Sequence, residues 1–141
     1  YTLCAFPSLV SHLAEPGVFA VVNDARLVGY LEQQRLTVIR QRKLTSLNAL
    51  LLSVAKERAL QGIYLLGEVP SYSTHRSNPK TCRAVLKALT ALLDVDLNMA
   101  EFSEWIEQAE EEMDEMVKEA SRTFLEDFTI DYRDLFPGEE H

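Results

Sequence analysis

At 141 residues the chain is one domain or part of one, long enough to bury a sizeable core. It shows no signal-peptide pattern and no apolar run near the ~20 residues of a membrane span, so export and membrane insertion are not expected. The net charge of −8 hides a division: residues 1–93 carry 11 Lys/Arg against 5 Asp/Glu, a net of +6, whereas residues 94–141 carry 3 against 17, a net of −14. The acidic segment can lie against its own basic body or face a basic partner.

The first predicted element is a strand over residues 1–6 that starts with no lead-in, so the chain is expected to begin partway through a domain. A loop or short helical turn spans 7–17, bent at Glu15-Pro16-Gly17. A second buried strand over 18–22 follows, then Asn23-Asp24 as a helix cap before a stripe of Leu27, Val28 and Leu31. Residues 36–39 read as a third strand, and Thr45 or Ser46 as the cap of a helix burying Leu47, Leu50, Leu51, Val54 and Ala55. Gln61-Gly62 closes that helix.

Residues 63–66 form a short run that is apolar on both faces, as expected of a strand covered by helices on two sides. After it come Gly67, Glu68, a polar loop holding Tyr72, His75 and Arg76, and then Asn78-Pro79. Asn78 is predicted to cap the next helix and Pro79 to occupy its first position, where a missing N–H costs nothing. That helix buries Cys82, Val85, Leu86, Leu89, Leu92 and Leu93. Asn98 with Glu101 has the form of a capping box. Beyond it, Phe102, Ile106, Ala109, Met113, Met116 and Ala120 alternate spacings of 4 and 3, a heptad-like seam flanked by Trp105 and extendable through Phe124, Leu125 and Phe128. Strands alternating with helices point to a layered α/β fold with a mostly parallel sheet and a C-terminal helical extension.

Ligands in open α/β sheets favour the crevice beyond the carboxyl ends of strands. Glu68, Tyr72, His75, Arg76 and Asn78 are therefore the candidate binding residues. Glu68 reads either as a ligand-binding carboxylate or base, or as a structural group that accepts backbone N–H bonds or pairs with Arg76. No second carboxylate, activated nucleophile or phosphate-cradling glycine loop accompanies it. Ser8, Ser11 and His12 have no third member and no strand-to-helix nucleophile turn, so their spacing is read as chance. Cys4 and Cys82 read as reduced core residues of a cytoplasmic protein. His12, His75 and His141 lie too far apart for a zinc set, so neither a metal nor a cofactor is expected. The basic cluster of Arg35, Arg40, Arg42 and Lys43 stands in a chain of pI about 4.9, which argues against nucleic acid.

The block Leu65-Leu66-Gly67-Glu68-Val69-Pro70-Ser71-Tyr72, followed by Asn78-Pro79-Lys80 and the helix over 84–93, resembles the proteasome assembly chaperone family, the one named for the second such chaperone. Residues 18–24, the helix over 46–55 with Gln61-Gly62-Ile63, and Asp96-Leu97 before the acidic helix extend the resemblance over nearly the whole chain. It implies a three-layer α/β/α domain similar to the phosphorylase/hydrolase arrangement. Residues 1–97 would be its C-terminal part, without the N-terminal strand, glycine loop and helix of such proteins. Residues 98–136 would be an acidic helical extension packing on that part or on another subunit. The resemblance also implies a non-catalytic assembly-chaperone-like or interaction scaffold with a protein partner, self-associating through the C-terminal helix. The alternative is a small-molecule enzyme working in the crevice around Glu68. Archaeal chaperone-like relatives end in a hydrophobic-Tyr-any tail. This chain ends Gly138-Glu139-Glu140-His141, so proteasome docking through the C-terminus is not expected.

Overall fold

The computed structural model describes residues 1–40 and 46–135, with side chains through residue 125. Four strands form one sheet: β1 (Thr2–Ser8), β2 (Val18–Val22), β3 (Thr37–Val38) and β4 (Ile63–Pro70), in the order β1-β4-β2-β3. β1 runs parallel to β4 and β2 parallel to β3, while β2 and β4 are antiparallel, so two of the three pairings are parallel. The helices are α1 (Leu27–Gln33), α2 (Leu47–Glu57), α3 (Pro79–Leu93) and α4 (Phe102–Leu135), with a 3-10 turn at Ser71–Ser73.

Alternation along β4 sorts its side chains into two cores. Ile63 and Leu65 face α1 and α3, where they meet Ala20, Leu31, Leu36, Val85 and Leu92. Tyr64 and Leu66 face the other way, onto Leu52 of α2 with Phe6, Phe19 and Val21 around them. The sheet is thus covered on both sides, the three-layer α/β/α arrangement expected.

β4 is twice as long as its apolar run predicts, continuing through Gly67, Glu68 and Val69 to Pro70. It is held there by β1, whose register runs from Thr2 opposite Tyr64 to Ser8 opposite Pro70. Gly67 lies on the α3 face, where a Cβ would come within 2.5 Å of Val85 Cγ2 and 2.6 Å of Thr81 Cγ2. The bare backbone at Gly67 is what lets α3 cross so close.

Several local expectations need correction. α2 buries Leu52, with Val54 and Ala55 half-buried, but leaves Leu47, Leu50 and Leu51 exposed, because the helix lies over a narrow sheet near its β1 edge. Cys4 and Cys82 are exposed free thiols rather than core residues, Cys4 lying on the outer strand β1. Asn23 and Asp24 do not cap α1, whose preceding residue is Arg26. Asn23 instead donates to the Leu52 and Leu60 carbonyls at 3.1 and 3.0 Å and accepts from the Gly62 N–H at 2.8 Å, stapling the end of β2 to the α2–β4 connection. Ser46 does cap α2, accepting from the Ala49 N–H at 3.2 Å. Thr45, Arg42 and Lys43 lie outside the described residues. Arg40 pairs with Glu32 at 2.6 Å. Asn98 accepts from the Ala100 N–H at 3.0 Å, two residues ahead of α4.

Candidate functional site

The loop after β4, the loop after β1, the first turn of α3 and residues 106–114 of α4 converge at one end of the sheet. Glu68 stands on β4 itself, opposite Phe6. Its Oε1 accepts from the Ser8 hydroxyl at 2.6 Å and its Oε2 from the Gly17 N–H at 3.0 Å. Its own backbone N–H donates to the Gly17 carbonyl at 2.9 Å, and its carbonyl accepts from the Thr81 hydroxyl at 2.7 Å. Glu68 therefore ties β1, the bend before β2, and α3 to the centre of the sheet. Both carboxylate oxygens accept hydrogen bonds from the protein's own groups, which fits the structural reading through backbone N–H bonds. Arg76 points elsewhere.

Asn78 does not cap α3. Its side-chain amide donates to the Ser73 carbonyl at 3.1 Å and the Arg76 carbonyl at 2.9 Å, and its oxygen accepts from the Ser73 hydroxyl at 3.1 Å. Ser73 is fully buried, and its single hydroxyl proton is shared between Asn78 Oδ1 and the Pro70 carbonyl, each at 3.1 Å. An amide carries both donors and acceptor, and the crossover loop uses all of them before the helix N–H groups compete.

Tyr72 meets a residue that sequence spacing leaves aside. The His12 side chain, buried to 6 % exposure, places Nδ1 2.7 Å from the Tyr72 hydroxyl and Nε2 2.9 Å from Asp114 Oδ1. A carboxylate only accepts, so Nε2 carries the proton toward Asp114. Nδ1 faces the Tyr72 hydroxyl, whose oxygen also accepts the His12 backbone N–H at 2.9 Å. Two further pairs tie α4 to the body: Lys80 to Glu110 at 2.7 Å and Arg76 to Glu112 at 3.7 Å. Between them Ile106 and Met113 are buried, so the first half of the heptad-like seam packs on this chain's own body. The charge division of the sequence is thus partly self-complementation.

Of the five candidate residues, Glu68 and Asn78 hold backbone, Tyr72 and Arg76 reach α4 directly or through His12, and His75 is exposed. The structure does not gather them around one cavity. His12, Lys80, Glu110 and Asp114 are the members that sequence reasoning missed. The opposite charges of the two segments were the signal, but pairing residues about 30 to 100 positions apart needs the fold. The hollow between α3 and α4 is small and mostly apolar in its lining, and its charged members Glu68, Lys80 and Glu110 are already paired. Among the described residues no group of three or more His, Cys, Asp or Glu is placed to hold a metal ion.

The signature strand, the glycine at the α3 crossing and the family's sequence model agree over residues 1–117, a match to the PAC2 family. The chain belongs to the PAC2 family. Its fold is similar to PbaB of Pyrococcus furiosus, an archaeal proteasome activator, at 25% identity and TM-score 0.64, over 85% of this chain and 49% of that one. It is similar to a PAC2 family protein of Streptomyces avermitilis at 23% identity and TM-score 0.69, over 80% and 47% of the two chains. A proteasome-assembly chaperone homologue of Mycobacterium tuberculosis gives 24% identity and TM-score 0.66, also over 80% and 47%. The chain thus spans about half the length of these solved proteins. No match among curated proteins was found.

Proposed function

We propose that this PAC2 family chain is part of a non-catalytic, assembly-chaperone-like scaffold that binds protein partners, with proteasome subunits as the partner class its relatives suggest. The observation that carries the reading is the occupation of Glu68. The carboxylate of Glu68 is engaged by Ser8 and Gly17, and Glu110 beside it by Lys80, where catalysis needs a carboxylate within reach of substrate. The docked acidic helix α4 supports the same reading, because it offers a long surface beyond the body. In this reading residues 1–97 are the C-terminal part of a larger α/β domain, and residues 98–136 are its helical extension. A cytoplasmic location belongs with it, supported by two free cysteines. Among the described residues no helix is long and apolar enough to cross a membrane.

The test is Glu68→Gln, which keeps an acceptor for Gly17 and an amide for the Ser8 hydroxyl while removing the charge. The variant is expected to keep its fold and its capture of purified proteasome subunits in co-sedimentation. A metabolite found by thermal shift and consumed only when Glu68 is present would overturn the scaffold reading.

A further inference from the structure

The first half of α4 is committed to the body, while beyond it several large apolar side chains stay exposed. Past Asp114 the helix carries Val117, Phe124 and Leu125 exposed, Phe124 at 69%. Across from them the loop after β1 holds out Leu9 at 97% exposure, with Tyr72 half-exposed beside it. Between the two walls lies an open hollow of about 880 Å³ lined chiefly by Leu9, Val10, Tyr72, Val117, Ala120 and Phe124. Large apolar side chains gathered around a concave surface and left to water mark an interaction site. The walls are a helix and a short loop, so the hollow is a groove of the kind that takes the apolar face of another helix.

Charge selects the occupant. Residues 94–141 carry a net charge of −14, and from Glu110 to Glu119 the helix has six acids and one base; Glu110, Glu112, Asp114 and Glu119 are engaged by Lys80, Arg76, His12 and Arg122, which leaves Glu111 and Glu115 for a partner. Among the described residues, Lys80 and Arg76 of the body pair with α4, at Glu110 and Glu112. A second copy entering by its own α4 would bring two such segments together, and like charges in contact are disfavoured. Its seam is also half spent, with Ile106 and Met113 inside this chain's own core. We propose that the groove between Leu9 and Phe124 binds an amphipathic helix with a basic polar face, supplied by a partner protein. This deepens the scaffold reading and rests on it. Leucine-type anchors at i, i+3 and i+7 would enter the hollow while lysines or arginines meet Glu111 and Glu115 of α4.

The probe is a fluorescein-labelled helical peptide of about 18 leucines and lysines, long enough to form helix, with leucines on one face. Its control has glutamate in place of every lysine. Fluorescence anisotropy on the full 141-residue chain is expected to show the lysine peptide binding about tenfold or more tighter than the glutamate one, and weakening with added salt. Leu9→Ser and Phe124→Ser, both at exposed positions, are each expected to weaken it about fivefold or more with an unchanged thermal melt. If Phe124→Ser alters the melt, Leu9→Ser carries the test alone. Equal binding of the two peptides overturns the proposal. So does lysine-peptide binding that neither substitution touches, which is adsorption to charge alone. A dimer in light scattering that Phe124→Ser dissolves would assign the groove to a second copy and overturn it as well. Turnover at Glu68 would end the scaffold reading and leave the peptide result standing, so the two failures are distinguishable.

Discussion

Gly67→Ala tests the closest approach in the fold. The added Cβ would stand 2.5 Å from Val85 Cγ2 and 2.6 Å from Thr81 Cγ2, against roughly 3.5–4.0 Å for carbons in comfortable contact. Closing a shortfall of about 1 Å requires α3 to lift from the sheet or β4 to bow away from it, and neither is free. Lifting α3 stretches the 2.7 Å bond from the Thr81 hydroxyl to the Glu68 carbonyl and uncovers Val85. Overpacking of this kind costs about 1–3 kcal/mol, and weakening the hydrogen bond adds about 1, giving roughly 2–4 kcal/mol. For a chain of this length that corresponds to a fall in Tm on the order of 10 °C. Urea unfolding followed by far-UV circular dichroism measures it. The decisive control is the Thr81→Ser, Val85→Ala background, which removes both obstructing methyl groups and keeps the hydroxyl that holds Glu68. In that background Gly67→Ala should cost less than about 1 kcal/mol, a strongly non-additive result. A cost near zero in the native chain, or the same cost in both backgrounds, would refute the steric argument.

Two further outcomes follow from local geometry. Ser46→Ala removes the acceptor for the Ala49 N–H and should cost about 1 kcal/mol by urea unfolding, with no loss meaning that α2 starts without it. Asp24 is held well below the usual carboxylate range, first by the Arg26 side-chain hydrogen bonds, then by the Arg26 backbone N–H, then by Gln61. A depressed carboxyl stabilises the fold above the ordinary carboxylate range and loses that contribution only as pH falls through its lowered value. In an NMR titration Asp24 should show a midpoint below the ordinary carboxylate range, and Arg26→Gln should move that midpoint upward. An ordinary midpoint in the native chain would show that the pairing does not persist in water.

How much of this was legible in the sequence depends on the range of the interaction. The strand at Ile63 and the cap at Ser46 were readable because backbone preference and nearest neighbours decide them. The stripe of α2 was misassigned because periodicity identifies an apolar face but not the width of sheet available to cover it. Leu52 reaches Tyr64 and Leu66, while Leu47 and Leu50 overhang. Asn78 was assigned to the helix because its preference for caps is a local statistic, whereas Ser73 and the Arg76 carbonyl claim it first. For Glu68 the sequence left two roles open, and only the positions of Ser8 and Gly17, 60 and 51 residues away, favour one. The His12, Tyr72 and Asp114 arrangement joins three distant segments and had no signature of its own.

The place of β4 bears on how the chain reaches its native state. β1 and β2 are consecutive in sequence yet are not neighbours in the sheet, for β4 lies between them and pairs with each. Neither strand has a local hairpin to form first, and Thr2 meets its partner Tyr64 only after more than sixty residues of intervening chain. The loop-closure entropy must be met before any pairing with β4 returns free energy. During synthesis β2 can pair with β3 across the short α1 crossover, but β1 waits for β4, and these four strands join in a late, cooperative step when β4 arrives. A sheet built by inserting its last strand into its centre is slow to form, and β1 keeps its β4-facing edge open until that strand arrives.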